Sequence, residues 1–384
     1  MKKISVVARP DHSLNIFNRI KSVSTKDIYF NFFTFNIFYE KSIVRKVVKK
    51  IDFIKSDVKV SFLITFFEHV NRFFISKGID TGRFFYAICN LYFSVVIPKS
   101  KLLHVWPMYA YGDWVRNRAD VVLAECYEAN PLYVKKVFAE EYAKYDVGIS
   151  KVKLFRDVHN HDVLTHFEHI IVPSKYIVQS YSGYIDKSKF IVNPFGTLGL
   201  EFNGRSKTLN KNKKFVFVGK VCLEKGFGRF LEAISELQGI EFIFIGAIDN
   251  ICQKLITEKK QYLSSVKFLG RKNKDELFNI VKTCDFIFLP SLSDAYSLAV
   301  MEGLSFGLPC LISNKTGNLE DVHFHKLGDS FDVDCKIDFV KKIHQFNTMT
   351  DFHYTEYISN IQTYFNSEAS GYIKRLNEIY ERNL

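Results

Sequence analysis

Between residues 215 and 312 the apolar positions fall into short, nearly unbroken runs, separated by stretches with apolar residues at helical spacing. The runs are 215–218, 241–245, 266–269, 285–289 and 309–312. Helices are predicted over 226–238, 250–262 and 274–283, and another opens near 297. Apolar runs of four or five residues without alternation are strands buried on both faces. Strands alternating with helices make a parallel sheet covered on both sides. Glycine follows three of the runs, at Gly219, Gly246 and Gly270. A further helix is expected over 338–346. Tyr357, Ile361, Tyr364 and Phe365 carry the spacing of terminal helices.

The first half uses the same pattern less cleanly. Strands are predicted over 4–8, 102–106, 121–124, 170–172 and 190–193, and 28–38 has β-type composition. Helices are predicted from Pro131 to about 145, over 150–169, and over 174–182 with Ser174 as the cap. Over 41–60, Ile43, Val47, Val48 and Ile51 share a helical face opposite Lys41, Arg45, Lys46 and Lys49. Such an element either lies on anionic lipid or packs as a solvated helix on the sheet. The phenylalanine pairs of 61–97 predict buried helices, with an exposed aromatic rim as the variant reading. Residues 197–214 turn small, polar and basic, the composition of a linker. Domains are therefore expected over 1–196 and 215–350, with terminal helices over 351–384.

Charge sharpens this division. The net charge is +12, but residues 1–200 hold 29 Lys/Arg against 18 Asp/Glu, and the remainder is close to neutral. A basic first half suggests an anionic partner for it. No nucleic-acid reader motif accompanies the bases, so nucleic acid is not expected. Seven cysteines in no C-x-x-C pair point to a reducing, cytoplasmic setting. The longest apolar run, 84–97, is too short to span a bilayer.

The chemistry concentrates at 290–309, where a strand, a loop of small residues and a helix start follow one another. Free N–H groups at a helix start favour an anion, and here they belong to Tyr296, Ser297 and Leu298. Asp294 and Glu302 stand with seven residues between them, one in the loop and one in the helix. Lys220 lies just past a strand end and Lys225 opens the next helix. Both are placed to meet an anion at the carboxyl edge of the sheet. The histidines at 159, 161, 166 and 169 lack a metal-ligand pattern. Asp332-Val333-Asp334 lies past the last clear strand, so no metal site is expected. Gly-x-Gly-x-x-Gly and the P-loop are absent, which removes support for nicotinamide chemistry and NTP hydrolysis.

Several stretches in order resemble retaining nucleotide-sugar glycosyltransferases of the GT-B fold, the group 1 or family 4 type. They are Val172-Pro173-Ser174, Asn193-Pro194-Phe195-Gly196, Gly219-Lys220 through Glu224-Lys225-Gly226, and Leu269-Gly270. The acid pair at 294 and 302 and the turn Thr316–Glu320 complete the set. The resemblance implies two Rossmann-like parallel-sheet domains facing a cleft, with the C-terminal helix returning to the first domain. It implies an acceptor-binding first domain and a nucleotide-sugar-binding second one. Gly219, Lys220, Lys225, Leu269, Tyr296, Ser297, Leu298 and Glu302 are then donor-binding, with Glu302 on the ribose hydroxyls. Lys220, Lys225 and Asp294 are catalytic. Asp294 replaces the family's usual Glu, which leaves the donor sugar open. Where the family often has a histidine, this chain has Glu125 or Glu128 as a base or acceptor ligand, with Glu125 taken as the catalytic one. Glu128, Arg9 and His12 are the acceptor candidates, although the expected glycine loop after the first strand is missing.

The implied reaction is metal-independent hexosyl transfer with retention and without cofactor, from a UDP-sugar or alternatively a GDP-sugar. The implied acceptor is a glycan or lipid-linked glycan in bacterial surface polysaccharide or lipopolysaccharide assembly. The implied location is the cytoplasm, peripheral on the inner membrane face. A sugar-nucleotide epimerase, a phosphorylase and a catalytically silent binding partner are the alternatives.

Overall fold

The computed structural model describes residues 2–7, 28–35, 58–77, 79, 81–105, 113–148, 160–197, 199–204, 209–368 and 371–384. Two sheets result, and every strand pair in both is parallel. The first contains β1 (Lys2–Val7), β2 (Ile28–Phe35), β3 (Val58–Ser61), β4 (Ser100–Val105), β5 (Ala119–Glu125), β6 (His169–Val172) and β7 (Phe190–Val192). Its order is β3-β2-β1-β4-β5-β6-β7. The second contains β8 (Lys214–Val218), β9 (Glu241–Ile245), β10 (Val266–Phe268), β11 (Phe286–Leu289), β12 (Cys310–Ser313) and β13 (Gly328–Phe331), in the order β10-β9-β8-β11-β12-β13. The winding direction reverses at β1 in one sheet and at β8 in the other. In such sheets a crevice opens at the carboxyl ends of the strands flanking the reversal. In the second sheet those strands are β8 and β11, and the loops leaving them carry Lys220, Lys225 and Asp294.

The second core is largely phenylalanine. Phe215, Phe217, Phe242, Phe244, Phe286 and Phe288 are all buried on the strands. Rings on neighbouring strands meet at 5.1 Å between Phe215 and Phe286 and at 5.3 Å between Phe217 and Phe244. Burying such a side chain contributes about 1.5–3 kcal/mol before the entropy of ordering it.

Two strands depart from the sequence-based expectation. β3 takes the tail of the stretch read as helix over 41–60, because Val58 and Val60 alternate with Lys59 in an edge strand. β13 reads Gly-Asp-Ser-Phe and has no apolar run to mark it, since the opposite edge of the second sheet needs only Phe331 inside. The helix expected over 226–238 ends early, Phe227–Ala233 passing into a 3-10 turn. Of the helix expected over 150–169, Asn160–Thr165 is observed. The basic stretch 41–57, the remainder of 150–159, Arg9 and His12 lie outside the described residues.

The chain ends by returning to its beginning. Helix Asp351–Glu368 buries Tyr354, Ile361, Tyr364 and Phe365 in the second core. Helix Gly371–Arg382 buries Tyr372, Ile373, Leu376, Ile379 and Tyr380 against Ile4, Val6, Leu102, Leu123 and Ile171 of the first sheet. Arg375 fixes its approach, donating from Nε to Asn193 Oδ1 (3.0 Å) and from Nη2 to the Pro194 carbonyl (2.7 Å).

Candidate active site

The floor of the β8/β11 crevice is bare backbone. A Cβ on Gly246 would lie 1.8 Å from the Gly219 carbonyl oxygen, so the ends of β8 and β9 converge without side chains. Gly226 (φ +77°) is constrained more tightly: a Cβ there would lie 1.7 Å from the Pro290 carbonyl oxygen. Only glycine permits both that backbone and that approach. The approach seats the turn at 223–226 against the loop leaving β11, where the Leu292 N–H donates to the Glu224 carbonyl (3.0 Å). Lys225 thereby reaches Asp294, Nζ donating to Oδ2 at 2.6 Å. The backbone of Asp294 is held from the other side. Its N–H donates to the Lys315 carbonyl (3.0 Å), and its carbonyl accepts from Gly317 N–H (2.8 Å). The short carboxylate of Asp294 is thus met by a lysine already at the site.

Helix Leu298–Ser305 begins directly after this loop. Of the three N–H groups expected to face an anion, that of Ser297 is committed elsewhere. It donates to Asn318 Oδ1 at 2.6 Å, and Asn318 Nδ2 donates back to the Ser297 carbonyl at 3.3 Å. Ser297 is therefore a hydrogen-bonded hinge of the loop, and its N–H is not a ligand donor. Tyr296 is buried, its hydroxyl donating to Asp321 and its ring 5.3 Å from that of Phe195. Burial, with Asp321 beside it, raises the Tyr296 hydroxyl well above its ordinary pKa. Leu298 opens the helix with a half-exposed side chain, and its N–H is one of the first-turn donors that a helix leaves without an intrahelical acceptor. Asn318 was not anticipated as a site residue. Its only sequence signal is its place in the turn after Gly317.

Glu302 lies in the second turn of this helix. Among the described residues its carboxylate has no hydrogen bond and no ion pair. Partial burial raises its pKa, and only Lys274 opposes the shift. A half-buried carboxylate without a partner is costly to hold. Vicinal hydroxyls of a ligand would satisfy both its oxygens.

Lys220 follows β8 and is mostly exposed, its Nζ 3.9 Å from Asp249 Oδ2. It is thus free to turn into the crevice. Leu269 leaves β10 at the same edge, its N–H donating to the Phe244 carbonyl (2.9 Å). Asp249, Cys222 and Glu224 form one set, among the described residues, whose ligand atoms lie within 4.8 Å of one another. Burial pushes the Cys222 thiol up to about 12, so it keeps its proton. Asp249 caps helix Asn250–Glu258 by accepting from the Cys252 N–H at 2.8 Å. Both features favour a structural role for the set. Asp334, of the D-x-D stretch, is taken by Lys315 (2.5 Å) and Arg229 (3.2 Å).

Glu125, read from the sequence as a catalytic base or acceptor ligand, ends β5 with 1% of its surface exposed. One oxygen accepts from the Tyr372 hydroxyl, and the other lies 2.8 Å from His104 Nε2. His104 Nδ1 meets the Tyr380 hydroxyl at 2.7 Å. The carboxylate therefore holds the terminal helix on the first sheet and has no open path to an acceptor. The terminal helix, distant in sequence, is what encloses it. Glu128 lies half-buried in the loop leaving β5, at the carboxyl edge of the first sheet, and stays a candidate for the acceptor side.

The two domains meet around these loops. Ser174 Oγ donates to the Ala295 carbonyl (2.9 Å), and the Tyr176 hydroxyl donates to Ser293 Oγ (2.7 Å). Lys175 pairs with Glu320 at 2.5 Å. Glu141, buried in the first domain, lies 3.0 Å from Arg229 Nε and 3.2 Å from Lys144 Nζ. Burial raises the pKa of Glu141 while Arg229 and Lys144 oppose it. The loop holding Asp294 is thus touched from both domains.

A family model described as glycosyl transferases group 1 matches residues 201–358. The uncharacterized glycosyltransferase MJ1178 of Methanocaldococcus jannaschii is 23% identical over 318 residues, 81% of this chain and 76% of that protein. Among solved structures, the apo form of the lipopolysaccharide outer core galactosyltransferase WaaB superposes with a TM-score of 0.66 at 13% identity, over the whole of both chains. Anabaena HepE in complex with UDP and glucose superposes with a TM-score of 0.59 at 12% identity, again over both whole chains.

Proposed function

We propose that this chain, which has the GT-B fold and a second half matching the glycosyl transferases group 1, moves a hexosyl unit, with retention, from a UDP-sugar to a lipid-linked glycan at the inner membrane face. The observation that carries the donor half of this reading is Glu302, a half-buried carboxylate with no partner among the described residues, in the second turn of the helix that leaves the Asp294 loop. A ribose on Glu302 sets its diphosphate toward the helix start and the Lys225–Asp294 pair. The bond from the anomeric carbon to the β-phosphate oxygen breaks, and negative charge grows on the departing diphosphate. Lys225, Lys220 and the N–H groups of the helix start are the groups that offset it. The acceptor hydroxyl adds to the anomeric carbon from the face the diphosphate leaves, and its proton passes to a departing phosphate oxygen. Asp294, with one methylene fewer than the family's acid, is left to orient the sugar hydroxyls.

The acceptor half is supported by the basic first domain and by the lipopolysaccharide named for WaaB. Incubation with UDP-glucose, UDP-galactose or their N-acetyl forms, with and without a polyprenyl-diphosphate glycan, tests the reading. Product with the donor's anomeric configuration by NMR is expected. An inverted product would overturn retention, and conversion of the donor without any acceptor would favour an epimerase.

A further inference from the structure

Helices Phe62–Ser76 and Gly82–Val96 carry apolar residues well beyond their core faces, although the first also contains Glu68, His69, Asn71 and Arg72. Their inner faces bury Ile64, Phe85, Cys89 and Phe93 in the first core. Their outer faces carry Leu63, Phe66 and Phe73 on one helix and Phe84, Leu91 and Val95 on the other, at 51–71% exposure. Single exposed apolar residues are ordinary on a protein surface, but stripes at helical spacing on two neighbouring helices are not. An apolar stripe on a helix is stable against a core or against lipid. Fifteen residues rise about 22 Å, short of a hydrocarbon core of about 30 Å. No described helix is long and apolar enough to cross a membrane.

We propose that this helical pair is a membrane-insertion surface that seats its outer aromatic and aliphatic stripes among the acyl chains of an anionic leaflet. Charge favours lipid over a second copy of the chain. Between residues 62 and 99 the sequence carries Arg72, Lys77, Arg83 and Lys99 against Glu68 and Asp80. The Lys77 ammonium sits 6.0 Å from the Phe73 ring centre, a base riding at the rim of the apolar stripe. Two first halves, each with an excess of 11 positive charges, would repel across a self-interface. An anionic headgroup layer is attracted to the same charge, and the stripes enter beneath it. The surface deepens the reading of a lipid-linked acceptor, since it would hold the first domain where such an acceptor resides, but its binding does not depend on that reading.

Flotation with vesicles of phosphatidylcholine and phosphatidylglycerol tests it on the full chain. The wild type should float with anionic vesicles, retain part of that binding at high salt, and bind pure phosphatidylcholine at least tenfold less. Phe66→Ser with Phe84→Ser should lower partitioning at least tenfold and leave the thermal shift produced by UDP-sugar unchanged. Phe84→Trp, a conservative variant, should gain a tryptophan signal that brominated acyl chains quench. No flotation, or no added quenching in Phe84→Trp, would overturn the proposal. So would a wild-type dimer in light scattering that the serine pair converts to monomer without altering vesicle binding. A failed transfer assay with intact vesicle binding would count against the lipid-linked acceptor and leave the surface standing.

Discussion

The Lys225–Asp294 pair has two jobs that a double-mutant cycle can separate. At 2.6 Å and an effective dielectric constant of about 20, opposite unit charges attract by roughly 6 kcal/mol before desolvation. Lys225 is 34% exposed and Asp294 12%, so solvent screens part of this and desolvation removes more. A net coupling of about 1–2 kcal/mol is expected, between the values for exposed and buried pairs. Lys225→Met and Asp294→Asn, singly and together, should show it in urea denaturation without ligand. Bound UDP-sugar offers the ammonium a diphosphate instead, so the coupling measured at saturating donor should fall by at least half. Catalysis reads the second job. Losing one preorganised group opposite the leaving charge costs about 2.7–4 kcal/mol, or 10²–10³ in kcat. Steady-state transfer rates should therefore drop by that factor in Lys225→Met. The reasoning is refuted if the ligand-free coupling is below about 0.3 kcal/mol, or if Lys225→Met keeps kcat/KM within threefold of the wild type.

Other variants probe the rest of the site. Glu302 has a raised carboxyl pKa, so the folded protein binds more protons than the unfolded chain and stability falls as pH rises through that raised value. Glu302→Gln should accordingly raise the melting temperature at pH 7–8. The gain should vanish below about pH 4.3, the ordinary glutamate range, and an equal gain at all pH values would contradict the sign. The same variant should weaken UDP-sugar binding at least tenfold by calorimetry. Gly226→Ala forces a side chain onto φ +77° and into the Pro290 carbonyl, a cost of about 1–3 kcal/mol from the backbone alone. Denaturation should show the loss together with weaker donor binding, because Lys225 is carried off Asp294. Tyr372→Phe removes the hydroxyl that donates to Glu125 and should cost about 1–3 kcal/mol in stability. Its kcat should stay near wild type if Glu125 only holds the helix, and a large loss of kcat with unchanged stability would return Glu125 to the chemistry.

The strands and helices of the second domain were legible because their signals are local. Four-residue apolar runs, each followed by glycine, occur at Phe215–Val218 and Phe242–Ile245 without reference to anything distant. The acid pair and the two lysines were also legible, since their places follow from strand ends and helix starts. β3 and β13 were not, because Val-Lys-Val-Ser and Gly-Asp-Ser-Phe hold too few apolar positions to mark a strand.

What the sequence by itself determined is the set of elements, the parallel sheets and the edge on which the chemistry sits, because hydrophobic periodicity and turn residues act within a few positions. The partners at that edge were decided only when the chain folded. Lys225 and Asp294 are 69 positions apart, Ser297 and Asn318 are 21 apart, and Glu125 and Tyr372 are 247 apart. The outward turn of Phe66 and Phe84 is of the same kind, since an apolar residue in a helix does not state which side faces the core. A side chain's type limits the bonds it can make, but only packing brings the second partner within 3 Å or leaves the position open to solvent.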